Sequence, residues 1–294
     1  MFARPGLPRF DYVQASTADE AVTLLQDYGP DARLLMGGTD LFPGLREGRF
    51  GARVLIDVKQ LPGMRQLDHD DETGLTIGAA VTMNELARHP VVQARYPVLA
   101  QAAGTVASYQ IRNRATIGGN LCNASPCADT APATLVLEAE FLLYGLQGER
   151  AVTAGEFFRG PGQTALRPAE MMVGIRIPAS PSRAAARYLK LGRCRSGDLS
   201  LVGVAVCGFG NGDGRHAFRI ALGSVAPTPV RASEAEAHLA SQPAGEAAFA
   251  GAAEKAMAAS SPISDVRGTA EYQRAMVRTL TLRALRDVWA QLLA

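Results

Sequence analysis

Tryptophan occurs once in this 294-residue sequence, cysteine four times and histidine four times, and aromatic residues make up only 6% of it. Each scarcity closes off a class of protein. Four cysteines, at positions 122, 127, 194 and 207, are too few and too unevenly spaced for a disulfide scaffold in a chain this long. Cys122 and Cys127 match one segment of plant-type iron–sulfur spacing, but the C-x-x-C pair that must accompany it is missing, so they read as small buried or loop thiols. His69, His89, His216 and His238 are scattered, and no His/Cys/carboxylate grouping has metal-ligand spacing. Charge of one sign is also lacking. A formal net charge of +2, with no Lys/Arg stripe, argues against a nucleic-acid partner and leaves an anionic small ligand open. Long apolar runs are missing too: the N-terminus "MFARPGLPRFDYVQ" has no signal-peptide core, and "ATLVLEAEFLLYG" is interrupted by Glu138 and Glu140. Export and membrane spanning are not expected, and the sequence reads as cytoplasmic.

What remains is an ordinary globular composition, 47% hydrophobic and 20% charged, in a chain long enough for two domains. Its most unusual feature is a repeated glycine pair. "LLMGGTD" at 34–40 and "ATIGGNLCNASPCADTAP" at 115–132 each place two glycines after a short aliphatic run and follow them with a small polar residue. Glycine weakens any strand it touches, and close approach of backbone to a ligand is the usual reason for it. Neither pair is a familiar nucleotide fingerprint: the first lacks the Lys of a P-loop, and the second lacks the third glycine and helix-opening context of a Rossmann turn. Thr39, Asp40, Thr116 and Asn120 can hydrogen-bond beside the glycines, and successive bare N–H groups can form an anion-binding concavity. Two such loops could grip a pyrophosphate.

The first 58 residues read as a small α/β unit. Ser16 or Thr17 caps a helix bearing Ala21, Leu24, Leu25 and Tyr28, Gly29 ends it, and "ARLLM" and "RVLIDV" are strands. A second unit starts near "LTIGAAVT", passes through a helix over "VVQARYPVLAQAAGTVA", reaches the second glycine pair, and continues as a helix over 128–137 and strands at "EFLLYG" and "MMVGIRIP". "ASPSRAAA" is the best linker. Beyond it, "RYLKLGR", "LSLVGVAVCGFG" and "HAFRIALGSV" read as strands, with a glycine-rich turn at "GNGDG". Helices dominate from about Arg231 and end in a long amphipathic stretch over 269–293. Strands followed by helices suggest an α+β C-terminal domain.

Five segments carry a family resemblance: "LLMGGTDL", "QIRNRATIGGNLCNASPCADTAPATLVL", "YLKLGR", "GSVAPTPVRA" and "DVRGTAEYQRAMVRTLTLRAL". In these, in family order and across nearly the whole length, the chain resembles the FAD-binding, or medium, subunit of the molybdenum hydroxylases, the xanthine dehydrogenase and aerobic carbon monoxide dehydrogenase group. The resemblance implies an α+β fold with a two-subdomain FAD-binding domain of the vanillyl-alcohol-oxidase-like type over 1–178 (subdomains 1–58 and 59–178), then an α+β domain with an antiparallel sheet over 179–294. It implies that Leu34, Leu35, Met36, Gly37, Gly38, Thr39, Asp40 and Leu41 wrap the FAD pyrophosphate, with Thr116, Ile117, Gly118, Gly119 and Asn120 opposite. Asn123 and Ser125 would line the same loop, Asp129 would bind a polar part of the nucleotide, Leu41 and Met172 would flank the isoalloxazine, and Lys190 would lie near the flavin. "RCRSGDLS" would lie near it as well, with Leu199 standing where carbon monoxide dehydrogenase relatives often carry an aromatic. The 4-hydroxybenzoyl-CoA reductase branch carries a cysteine-rich insertion for a 4Fe-4S cluster, and none is visible here.

The resemblance further implies non-covalent FAD, and a partnership with a molybdopterin-binding large subunit and a small subunit holding 2Fe-2S clusters, as a dimer of heterotrimers. No residue here would be catalytic toward the organic substrate. Two other readings stay open at this point: a self-sufficient FAD-dependent oxidoreductase of the same broad fold, such as UDP-N-acetylenolpyruvoylglucosamine reductase or a vanillyl-alcohol-type oxidase, and a non-catalytic nucleotide-binding subunit.

Overall fold

Three successive sheets organise the chain, and the computed structural model describes residues 6–181, 184–194, 196–210 and 216–294 of it. The first sheet comes from β1 (Asp11–Gln14), α1 (Ala18–Tyr28), β2 (Ala32–Leu35), α2 (Leu41–Arg46) and β3 (Val54–Asp57). Thr17 caps α1 by accepting from the Glu20 N–H, and Gly29 ends the helix at φ 50°. β3 lies between β1 and β2, and both pairings are parallel. All four β3 residues are buried, which is why this central strand is apolar up to its last residue. That residue, Asp57, accepts from the Tyr12 hydroxyl at 2.6 Å and from the Lys59 N–H at 3.0 Å. The Lys59 ammonium pairs with it as well, so its charge is compensated at the end of the central strand.

The second unit opens with the hairpin β4 (Leu67–Asp70) and β5 (Gly74–Gly78). Six short helices follow: α3 (Met83–Arg88), α4 (Pro90–Arg95), α5 (Pro97–Thr105), α6 (Tyr109–Arg112), α7 (Ile117–Cys122) and α8 (Thr130–Val136). The chain then returns through β6 (Glu140–Gly145), β7 (Gly148–Thr153), α9 (Ala154–Phe157), the small pair β8 (Phe158–Gly160) and β9 (Gln163–Thr164), and β10 (Met171–Ile177). β4, β5, β10, β6 and β7 form one antiparallel sheet in that order. The sequence suggests a single helix through "VVQARYPVLAQAAGTVA", but the structure has two. Pro97 has no N–H to donate and forces Tyr96 out of the helical region, to φ −131° and ψ 50°.

β11 (Ala184–Leu191), β12 (Val202–Gly210), β13 (His216–Gly223) and β14 (Val230–Arg231) make the third sheet, antiparallel in chain order, and α10 (Ser233–Ala240), α11 (Glu246–Ala258) and α12 (Ala270–Leu293) follow. Strand periodicity divides β12 between two cores. Val202, Val204 and Val206 face the core shared with α11 and α12, whereas Ala205 and Cys207 face the core of the N-terminal units. On β11, Ala186 and Tyr188 point the same way as Ala205, so the third sheet presents Tyr188 and, two residues on, Lys190 to α5 and α8. The alanines 184–186 of the expected linker belong to β11, while Ser182 and Arg183 lie outside the described residues, as do Arg195 and residues 211–215 with most of the expected glycine-rich turn. No helix among the described residues is long and apolar enough to cross a membrane.

Gly74 joins the β4–β5 hairpin to the end of β10. Its φ is +97°, and a Cβ there would lie 2.6 Å from the Ala179 nitrogen. Gly148 has a similar φ of +89° with open space around it. Gly74→Ala should therefore lower stability by about 3 kcal/mol, and Gly148→Ala by only about 1 kcal/mol, since the second adds strain without a clash. Denaturant unfolding of the two variants, compared with the parent, checks the difference.

Candidate functional site

A cleft of about 640 Å³ separates the parallel unit from the antiparallel unit, and both glycine pairs line it. The first segment leaves β2 and turns into α2. Gly37 packs on the backbone of Arg114, where a Cβ would overlap the carbonyl, and Gly38 makes the turn at φ +75°. The pair is thus divided: one glycine lets two segments touch, and the other allows the left-handed turn. After them the N–H groups of Gly38, Thr39 and Asp40 have no protein acceptor among the described residues, so three successive donors stand in the cleft wall.

The second segment, expected as a loop, is the short helix α7. Thr116 caps it, its hydroxyl accepting from the Gly119 N–H at 3.2 Å. Two glycines in the first turn conceal the helix from a propensity reading. Gly118 is pressed against Ala79, whose Cβ would lie 2.6 Å from an added one. Three backbone bonds clamp this segment to the exit of β5: Met83 N–H to Ala115 O, Ile117 N–H to Val81 O and Gly118 N–H to Ala79 O, at 2.9, 2.9 and 3.0 Å. The Thr116 hydroxyl also reaches the Met36 sulfur at 3.7 Å. Each glycine segment therefore positions the other.

The residues singled out in the sequence all line the cleft except Leu35, Ile117 and Lys190. Leu35 and Ile117 are buried in the protein, because strand and helix periodicity turns them away from the ligand side. Lys190 stands behind Asp129 instead of at the surface of the cleft. Its ammonium donates to Asp129 Oδ2 at 2.8 Å and to the Thr105 carbonyl at 3.0 Å, and the Tyr188 hydroxyl donates to Asp129 Oδ1 at 2.8 Å. Asp129 occupies the N-cap position of α8 without a side-chain cap bond, since both carboxylate oxygens are turned to the third sheet. Burial raises the Asp129 carboxyl above its usual range against the opposing pull of Lys190 and Tyr188. Burial, reinforced by Asp129, holds Tyr188 well above the ordinary phenol range, so it remains a donor.

Asp40 is also raised, by burial, against the opposing charge of Arg49. Met172 is buried at the apolar end, next to a β-bulge in β10 between Met172 and Gly174 that frees the Val173 carbonyl to accept from the Ala79 N–H at 3.1 Å. Cys122 and Cys127 are both free thiols. Burial pushes Cys122 up to about 12, and Cys127 Sγ lies 3.0 Å from the Arg267 guanidinium.

Sequence reasoning missed several lining residues: Arg33, Arg49, Phe50, Val106, Ala107, Ile111 and Leu166. Arg33 and Phe50 come together only in the fold, with the guanidinium 5.4 Å from the ring centroid. Ala107 had no readable signal, being a non-glycine residue at φ 40°. The segment "RCRSGDLS" does reach the cleft, through Gly197, Asp198 and Leu199, and the Gly197 N–H latches to the Ala107 carbonyl at 3.0 Å. Leu199 is 59% exposed at the mouth.

Such a cleft, with amides lacking a protein acceptor among the described residues on one wall and a helix start on the other, has the features of a dinucleotide-binding protein. Residues 8–180 match the family model described as "FAD binding domain in molybdopterin dehydrogenase", and residues 187–288 match "CO dehydrogenase flavoprotein C-terminal domain". The chain belongs to the FAD-binding medium-subunit family of the molybdenum hydroxylases, and is an oxidoreductase subunit. It is 38% identical over 284 residues to the carbon monoxide dehydrogenase medium chain of Hydrogenophaga pseudoflava, covering 97% of this chain and 98% of that one. It is 32% identical over 281 residues to a putative xanthine dehydrogenase FAD-binding subunit of Escherichia coli, with 95% and 96% covered. Among solved structures, a carbon monoxide dehydrogenase from Hydrogenophaga pseudoflava superposes with a TM-score of 0.92 at 40% identity, covering 97% of this chain and 99% of that one. Quinoline 2-oxidoreductase from Pseudomonas putida 86 superposes with a TM-score of 0.89 at 29% identity, covering 96% and 98%.

Lys190→Met strands a buried carboxylate with only Tyr188 for company. It should cost about 3–5 kcal/mol, and adding Asp129→Leu should restore part of that loss, because an apolar pair of similar volume replaces a broken ion pair. Urea unfolding of the single and double variants without flavin measures both.

Proposed function

We propose that this chain is the FAD-carrying electron-transfer subunit of a molybdenum hydroxylase, receiving electrons from 2Fe-2S clusters of a small partner subunit and passing them to an external acceptor. The observation that carries this reading is the pair of mutually clamped glycine segments, with N–H groups at Gly38, Thr39 and Asp40 that have no acceptor among the described residues. These donors suit a pyrophosphate, and Thr116 and Gly119 face them from the other wall. A flavin supplies, when bound, a centre that takes electrons one at a time and releases them singly or in pairs.

The chain's own residues do the rest. Amides 38–40 would donate to the diphosphate, with Arg33 and Arg49 in the same lining to balance its charge. Asp129 spends both carboxylate oxygens on Tyr188 and Lys190, so its part would be to fix the start of α8 in the cleft wall, where a polar group of the nucleotide would lie. Leu41, Leu166 and Met172 exclude water from the apolar end. FAD is non-covalent in this reading, with 1–178 as the FAD domain, divided near 58, and 179–294 as the C-terminal domain. A molybdopterin-binding large subunit oxidises the substrate, and the assembly is a cytoplasmic dimer of heterotrimers.

The choice of variant matters for the flavin test. At Gly38 a Cβ would meet the Phe42 ring at 2.7 Å on a positive φ, so a side chain there threatens the fold itself. At Gly119 the nearest obstacle is the rotatable Thr116 hydroxyl at 2.9 Å. Gly119→Val should keep a native circular dichroism spectrum while losing bound flavin. In the parent chain, acid precipitation should leave FAD, one per chain, in the supernatant; flavin retained in the pellet, or FMN in its place, would overturn non-covalent FAD.

The subunit role has its own check. Co-expression with adjacent large- and small-subunit genes should give a stable complex whose flavin is reduced by the substrate of the large subunit. The isolated chain should show no such reduction with any hydroxylase substrate, and turnover by the metal-free chain would favour a self-sufficient flavoenzyme instead.

A further inference from the structure

The wall that carries Thr116 has a second face. On it lies a pocket of about 390 Å³ whose charged lining is Lys59, Arg65, Arg88, Arg114 and Glu85. A shallower depression continues past Lys59 and Arg65. Thr116 is the one residue common to the linings of this pocket and the cleft, so the two are back to back and separate.

Four cations meet one lining carboxylate, and that carboxylate is already engaged. Glu85 completes the capping box of α3 with Thr82 and pairs with Arg65. Lys59 is held by Asp57 from outside the pocket. Arg88 and Arg114 have no acidic partner among the described residues. Arg88 is nonetheless held in place, its guanidinium 4.9 Å from the Tyr109 ring centroid. The neutral lining adds donors as well. Asn84 is fully engaged, donating to the Tyr109 carbonyl at 3.0 Å and to Asn113 Oδ1 at 2.6 Å while accepting from Arg112 Nε at 3.1 Å. The bond to Asn113 Oδ1 leaves the Asn113 amide group facing outward as a donor.

Like charges gathered in a concavity repel one another unless an anion joins them. The wall offers guanidinium forks and an amide donor, and its acceptors are used. Forks of this kind match the paired oxygens of phosphate groups. The concave shape and the volume fit a small molecule better than the flat face of a protein. We propose that this pocket is a second ligand site, distinct from the flavin cleft, for a small phosphate-bearing anion.

The FAD-loaded full chain, titrated calorimetrically at low salt with inorganic pyrophosphate in one arm and ADP in the other, tests this. One saturable site per chain is expected. Pyrophosphate binding alone would mark bare diphosphate recognition, and tighter binding of ADP would mark a nucleotide. Arg88→Gln and Arg114→Gln should each weaken binding about tenfold, and the double variant about a hundredfold, with flavin content unchanged. Both side chains are exposed, and the Gln variants keep their hydrogen-bonding length, so folding is checked by circular dichroism. Absence of saturable binding would overturn the proposal, as would binding unaffected in the double variant. Binding seen only in flavin-free chain would assign the anion to the cleft instead. If neither probe binds but the double variant assembles poorly with its partner subunits, the basic surface is a protein-docking face and the small-molecule site is wrong.

Discussion

Contact between Gly37 and the backbone of Arg114 is the constraint on which the cleft depends. It brings the first glycine segment, on the parallel unit, against the second, on the antiparallel unit. A side chain at Gly37 would push the walls apart. Because Gly118 is pressed on Ala79 in the same way, the second segment is fixed in turn to β5. The cleft is therefore held by backbone on backbone, the least compressible contact a protein can make. Free amides at 38–40 can then stay in place without a ligand to order them, which lowers the entropic cost of binding one.

Charge is handled differently at the two ends of the cleft. Near the glycine segments the donors are the neutral amides of 38–40 with Arg33 and Arg49 beside them, and desolvation raises the nearby Asp40 carboxyl against the charge of Arg49. At the far end a full ion pair is buried, Asp129 with Lys190, and is completed by the Tyr188 hydroxyl and the Thr105 carbonyl. Such a pair contributes little to stability by itself but fixes geometry. It also ties the third sheet to the N-terminal units, because Tyr188 and Lys190 belong to β11 and Asp129 to the start of α8. The cleft is thus closed by a domain that contributes few residues to its lining.

Much of this was legible in one dimension. Thr17 and Gly29 mark the ends of α1 by their capping chemistry alone, and "EFLLYG" reads as a strand from its short apolar, aromatic-rich run ended by glycine. Polar strands were not legible. β4, with the sequence LDHD, carries little apolar signal and is a strand because β5 offers it an edge. Helix α7 was hidden for the opposite reason: its glycines are poor helix formers, and the Thr116 cap and the clamp to residues 79–83 overrule propensity.

The same division holds for the site. Local rules pick out a glycine pair beside hydrogen-bonding residues, and the order of such segments along the chain assigns the family, because both are properties of consecutive residues. How the four glycines of the two pairs, all in the cleft lining, divide their roles was beyond them: Gly37 and Gly118 serve protein packing, Gly38 makes the turn, and a Cβ at Gly119 would meet only the Thr116 hydroxyl. Lys190 reads as a cleft residue and stands behind Asp129. Lys59, Arg65, Arg88 and Arg114 are too dispersed to form a basic run in a chain of net charge +2, and only the packing of α3 against the loops after β3 and α6 collects them into one pocket. Backbone chemistry and segment order were determined by the sequence itself; side-chain convergence across long separations was decided by tertiary structure, because it depends on distances that no local pattern encodes.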